Sequence, residues 1–145
     1  MREVDEQGVG FSRRRVLVVA VGAGDAALVT VEALAALAEL DVVISFDKGD
    51  RAAALQAVRR TVLERARGSR PVRLIDIDDT RRDDGAGYEV AVRRWHGDRA
   101  ANLERVLRDD VGADEVAGLL VWGDPSLYDS TLRLLDEVRA RGAVI

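Results

Sequence analysis

The chain has 145 residues, of which 48% are hydrophobic and 33% charged, with a formal net charge of -4 and no cysteine. A chain of this length folds as one domain without covalent staples, burying roughly two-thirds of its unfolded surface. The missing cysteines exclude disulfides and thiolate metal sites, and the acidic balance argues against a general nucleic-acid binder. Of the 22 basic residues only Lys48 is lysine, a bias that together with the alanine excess reads as genomic.

Residues 1–14 read as a flexible tail ahead of a domain spanning 15–145. Within the tail, Ser12-Arg13-Arg14-Arg15-Val16-Leu17 superficially matches a twin-arginine export signal. Gly22, Gly24 and Asp25 interrupt the apolar run that such a signal needs. No run approaches the roughly 18 apolar residues of a membrane span, so no membrane association is expected and a cytoplasmic location is.

Val16 to Val21 is a continuous β-branched run, the pattern of a strand buried on both faces. It ends in Gly22-Ala23-Gly24-Asp25. Thr30 can cap a helix with apolar positions at Val31, Leu34, Leu37 and Ala38, and Glu32 suits its first turn. Val42 to Phe46 is a second strand, followed by Asp47-Lys48-Gly49-Asp50 and a helix with Leu55, Val58 and Val62 on one face. Gly68 and Pro71 end that helix. Val72 to Ile77 is a third strand and Asp78 to Gly87 a polar loop. Tyr88, Val92, Trp95, Leu103, Val106 and Leu107 form the apolar stripe of a long helix. Val116 to Trp122 is a fourth strand, Leu127 to Arg141 a helix, and Gly142 its C-cap. Ala143-Val144-Ile145 reads as the start of a fifth strand. A strand at a terminus with nothing to close its edge leads to the expectation of a longer parent protein.

Strands alternating with helices of ten or more residues predict an α/β fold, a mainly parallel sheet of about five strands with helices on both faces and right-handed crossovers. Ligands then bind at the carboxyl ends of the strands. Three turns lie on that edge: Gly22 to Val29, Asp47 to Asp50, and Trp122 to Ser130.

The first turn has two readings. Gly22-Ala23-Gly24-Asp25-Ala26-Ala27 satisfies the G-x-G-x-x-G/A dinucleotide fingerprint, and Asp47 stands where a ribose-binding acid would, so an NAD(P)-binding Rossmann oxidoreductase is one alternative. Against it, a pyrophosphate needs the helix N-terminus at the glycines, whereas Thr30 caps the helix later and Asp25 adds a carboxylate. A glycine loop carrying an acid suits a positive or neutral ligand, such as a sulfonium with its adenosine. A ligand-free tight turn also satisfies the pattern.

Val21-Gly22-Ala23-Gly24-Asp25-Ala26-Ala27-Leu28-Val29-Thr30 resembles the glycine-rich N-terminal motif of the tetrapyrrole (corrin and porphyrin) methylases, and Gly123-Asp124-Pro125 with Tyr128 resembles their G-D-P motif. Phe46-Asp47-Lys48-Gly49, Trp95-His96 with Arg99, and Val121 to Thr131 are most similar to the members that methylate C1 of a corrin precursor with deacetylation. The similarity runs from about Arg15 to Ile145. Two departures stand out: Ala20 replaces the family's first glycine and Ala23 its proline, which loosens the turn. Family members also carry a second domain that walls the other side of the cofactor cleft, so the resemblance implies a half-site here.

The resemblance implies S-adenosylmethionine as cofactor, bound through Gly22, Ala23, Gly24 and Asp25 in the first loop and Trp122, Gly123, Asp124 and Leu127 in the second. It implies methyl transfer to C1 of precorrin-5, loss of the acetyl group as acetate to give precorrin-6A, no metal, and a homodimer in the intact enzyme. A non-catalytic truncated methylase fragment is a further alternative. Asp47, at a strand's carboxyl end, is the candidate acid-base residue, or else a turn carboxylate. Lys48, His96 and Tyr128 are candidate substrate contacts, with Arg51, Arg59, Arg93 and Arg94 as candidate partners for corrinoid carboxylates. Ser126, His96 and Asp47 have the types of a hydrolytic triad but lack nucleophile-elbow spacing.

Overall fold

The computed structural model describes residues 12–22, 24–47, 53–79, 85, 87–123 and 129–145, with Asp47, residues 53–55 and Asp129 described in their backbone alone. Four strands alternate with four helices: β1 (Arg15–Ala20), α1 (Val31–Ala38), β2 (Val42–Asp47), α2 (Ala53–Arg67), β3 (Arg73–Asp78), α3 (Tyr88–Asp109), β4 (Val116–Val121) and α4 (Asp129–Ala140). A 3-10 turn, Ala26–Leu28, lies between β1 and α1. The strands form one parallel sheet in the order β1-β4-β2-β3.

Both faces of the sheet are covered, which explains the uninterrupted apolar runs. On one face Ala33 and Leu37 of α1 and Val62 and Leu63 of α2 pack with Val19, Val43 and Leu120. On the other, Ala100, Leu103, Val106 and Leu107 of α3 and Leu134, Leu135 and Val138 of α4 pack with Val42, Ile44, Ile77, Ala117 and Leu119. The two-residue period of β1, β2 and β4 thus divides their side chains between two cores, while β3 at the edge turns only Ile75 and Ile77 inward. Thr30 caps α1 as the sequence predicts, its Oγ1 accepting from Ala33 N–H at 3.0 Å.

The structure corrects four sequence expectations. The sheet has four strands among the described residues, where about five were expected. Ala143–Ile145 does run beside β1, with Arg14 N–H donating to Val144 O at 2.8 Å, but it is not assigned as a strand. Val31 and Tyr88, expected on apolar stripes, are 83% and 74% exposed, because each opens its helix beyond the covered part of the sheet. Arg14, expected in the tail, is buried, and its Nε donates to Leu107 O and Val111 O, both at 2.9 Å. It satisfies Leu107 O, in the last turn of α3, and Val111 O just past the end of the helix.

Gly118 in β4 is the tightest point of the sheet. A Cβ there would run into Leu40 Cδ1, and Leu40 is only 1% exposed with nowhere to move. Gly118→Val is therefore expected to destabilise the fold by about 3 kcal/mol through overpacking, read as a lower urea midpoint at unchanged slope. An unchanged midpoint would mean that Leu40 has room.

Candidate functional site

The six-rung parallel ladder of β1 and β4 carries Ala20 opposite Val121. Val21 N–H then donates to Val121 O at 2.9 Å, and Gly123 N–H donates to Gly22 O at 3.1 Å. The last contact is an isolated antiparallel bridge between Gly22 and Gly123. Two parallel strands can meet this way only if their chains turn as they leave the sheet, and they turn at glycines: φ is +81° at Gly22 and +68° at Gly123. Side chains disfavour that region, so glycine is the natural residue. The bridge joins the two glycine loops that the sequence separates by a hundred residues.

In the first loop Asp25 is exposed, and its Oδ1 accepts from Ala27 N–H at 2.8 Å, which caps the 3-10 turn. The structure thus brings Gly22, Gly24, Asp25, Trp122 and Gly123 to one edge. Ala23, Lys48, Asp124, Leu127 and Tyr128 lie outside the described residues, as do Arg51 and Ser126. Asp47 closes β2 opposite Asp78 in register, on the predicted carboxyl edge. His96 is exposed on α3 with its ring 4.9 Å from that of Trp95, and it does not line the cleft described next. Arg93 and Arg94 are likewise on the exposed side of α3.

The β2–β4 ladder has only three rungs and stops at Ile44 opposite Leu119. Past that rung a cleft of about 270 Å³ opens at the carboxyl end, lined by Ser45, Phe46, Val121 and Trp122 of the strand ends, Arg59 of α2, Arg99 of α3, and Ser130 and Thr131 of α4. The exits explain its place: β4 leads to α4 on one face while its neighbours β1 and β2 lead to α1 and α2 on the other. Such divergence is where open α/β sheets form crevices.

Two cations define the cleft's electrostatics. The Arg59 guanidinium stands 5.9 Å from the Trp122 ring, and burial pushes its pKa down while the charge of Asp76 opposes the shift. Asp76 is itself engaged, accepting from Ser45 Oγ at 2.7 Å. Arg99 lies 4.4 Å from the Phe46 ring and 4.8 Å from the Trp95 ring, and its Nε meets Asp79 Oδ1 at 3.2 Å. Burial lowers its pKa too, opposed by Asp79. Trp95 Nε1–H donates to Asp79 O at 3.3 Å, which ties α3 to the end of β3.

Sequence reasoning missed the Asp79 and Arg99 pair as part of the site. A signal existed: the two-residue period that turns Ile75 and Ile77 inward continues to Asp79. An inward carboxylate needs a buried cation, and among the described residues Arg99 reaches it.

The family model of the Tetrapyrrole (Corrin/Porphyrin) Methylases matches residues 15–145. A precorrin-6A synthase [deacetylating] from Sinorhizobium sp is 36% identical over 132 residues, covering 90% of this chain and 51% of its own length. The crystal structure of a cobalamin synthesis related protein (CobF) from Corynebacterium diphtheriae superposes with a TM-score of 0.65 at 29% identity, covering 89% of this chain and 48% of that one. A conserved hypothetical protein from Aeropyrum pernix K1 shares the fold at a TM-score of 0.52 and 19% identity. The chain spans about half the length of the relatives it matches.

Proposed function

The chain belongs to the tetrapyrrole (corrin/porphyrin) methylase family, and on that footing we propose that it forms the N-terminal, cofactor-binding part of an S-adenosylmethionine-dependent C-methyltransferase of cobalamin biosynthesis. The reaction proposed is methylation of precorrin-5 at C1 with release of acetate, giving precorrin-6A. The observation that supports it is the Gly22–Gly123 bridge, which sets a glycine of the first motif beside a glycine of the second at the carboxyl edge of the sheet. The second wall of the cleft and a homodimer interface are assigned to the part of the relatives beyond the matched half.

The residues present fit S-adenosylmethionine. Gly22, Gly24 and Gly123 all have positive φ and carry no side chain to bar a ligand from the main chain. Asp25 adds a negative charge that favours a sulfonium. A dinucleotide fits less well: its pyrophosphate would meet that carboxylate, and α1 opens only at Val31 with its cap already supplied by Thr30.

When bound, S-adenosylmethionine supplies an electrophilic methyl group. The chain's part is then largely to position and to exclude water. The main chain at Gly22 and Gly123 orients the cofactor, Trp122 covers one flank, and Asp47 at the end of β2 orients the substrate or moves a proton during acetyl loss. Incubation of the intact enzyme, this part together with the one that supplies the second wall, with methyl-labelled S-adenosylmethionine and precorrin-5 tests the reading: label in the macrocycle with equimolar acetate is expected. Label without acetate would overturn the deacetylation, and label only in another corrinoid would overturn the substrate. For Asp124, Asp124→Ala is expected to weaken S-adenosylhomocysteine binding by about 1.5 to 3 kcal/mol, the worth of a charged hydrogen bond. Unchanged binding in calorimetry with lost turnover would move Asp124 from cofactor contact to chemistry.

A further inference from the structure

The cleft between β2 and β4 is unusual in what it leaves unpaired. Its described lining includes two arginines, one from each face of the sheet, and no carboxylate. Arg59 Nε and Trp122 Nε1 are buried without a hydrogen-bond partner among the described residues. Arg99 Nε meets Asp79 Oδ1 at 3.2 Å off-line, which makes an ion pair but not a hydrogen bond. All three groups are donors, and Ser45, Ser130 and Thr131 add hydroxyls. Desolvated donors without acceptors are costly, and a guanidinium carries five N–H groups in a planar fork. The Arg99 charge is met in part by Asp79, whereas Arg59 Nε–H and Trp122 Nε1–H have no acceptor among the described residues.

We propose that this cleft is a carboxylate subsite in which Arg59 and Arg99 close on one carboxylate arm of a larger ligand. Its floor of Leu119, Leu120 and Val121, with Phe46 and Trp122 beside it, suits an acid on an apolar stem more than a free inorganic anion. At about 270 Å³ it is smaller than the roughly 300 to 1,000 Å³ of a site that takes a whole ligand. It opens from the same strand end that leads into the Gly22–Gly123 bridge, so a ligand seated on the glycine loops projects an arm into it. The carboxylate belongs either to a side chain of the macrocycle or to the methionyl part of the cofactor, an assignment that rests on the methylase reading above.

The chain contains two tryptophans, so an ¹⁵N spectrum has two indole cross-peaks, separable with Trp95→Phe. The labelled chain is titrated with the porphyrin octa-acid uroporphyrin III and with its octamethyl ester, then with S-adenosylhomocysteine and its decarboxylated analogue. Expected is a shift of the Trp122 indole by an acid but not by its carboxylate-free counterpart. Arg59→Gln and Arg99→Lys should each weaken that binding by roughly tenfold to a hundredfold, in proteins whose spectra remain dispersed. A response to uroporphyrin III assigns the arm to the macrocycle, and a response to S-adenosylhomocysteine assigns it to the cofactor. Equal binding of acid and ester, an Arg59→Gln protein with unchanged affinity, or no Trp122 shift up to millimolar ligand would overturn the subsite. S-adenosylhomocysteine binding that ignores both arginines would leave the methylase reading standing without it. An arginine-dependent response to uroporphyrin III with no S-adenosylhomocysteine binding would keep the subsite and remove the methylase reading.

Discussion

Asp79→Ala is expected to destabilise the chain by about 3 to 5 kcal/mol, the cost of leaving one member of a buried ion pair alone. The Asp79 side chain is 1% exposed and that of Arg99 14%. Removing the carboxylate strands a guanidinium between Phe46 and Trp95, with two aromatic faces but no counter-ion among the described residues. The backbone carbonyl of residue 79 still accepts from Trp95 in the variant. A denaturant titration measures it, and Asp79→Ala combined with Arg99→Met provides the control. Replacing both charges by apolar groups should recover much of the stability, because the pair's desolvation cost disappears with it. A single-variant loss below about 1 kcal/mol, the range of exposed pairs, would show that Arg99 finds water or another acceptor.

Gly123→Val should abolish measurable S-adenosylhomocysteine binding while leaving a folded protein. At φ +68° a β-branched residue is a conformational outlier, and holding it there costs of order 1 to 3 kcal/mol. The loop can avoid that strain only by giving up the Gly123 N–H to Gly22 O bond, which separates the two glycine turns. The core is unaffected, since the bridge lies beyond the last rung of the β1–β4 ladder. Circular dichroism and calorimetry on the same sample separate the effects. Native-like affinity in Gly123→Val would mean that the bridge does not shape the site.

Much of the fold was legible because burial on both faces leaves a strong imprint. β4, with Ala117 to Val121 all buried, reads as a continuous apolar run, and Thr30 declares the start of α1. Strand order was not legible: β4 pairs with β1 and β2 through contacts far apart in the chain, and side-chain alternation is blind to which strand lies beside which. Ala143 to Ile145 is not assigned as a strand although Arg14 N–H donates to Val144 O, because strand propensity alone does not make a ladder. Val31 and Tyr88 failed because periodicity fixes a face of a helix and not how far the sheet extends beneath it.

The site divides in the same way. Glycines before and after apolar runs announce turns, and the resemblance picked out both loops, but only the structure joins them through Gly22 and Gly123. Asp79 hid within Asp78-Asp79 at the head of a polar loop, where a solvated acid is the default. The resemblance picked out Arg99 beside Trp95-His96, but not its partner, because the contacts that distinguish it come from β2 and from the end of β3.

The central claim is that the joined glycine loops form one wall of an S-adenosylmethionine site. Isothermal titration of the chain with S-adenosylhomocysteine and, in parallel, with NAD measures it directly. Saturable heat with S-adenosylhomocysteine, absent in Gly123→Val and absent with NAD, is the predicted result. Saturable binding of NAD with none of S-adenosylhomocysteine would contradict the claim and return the first loop to a dinucleotide.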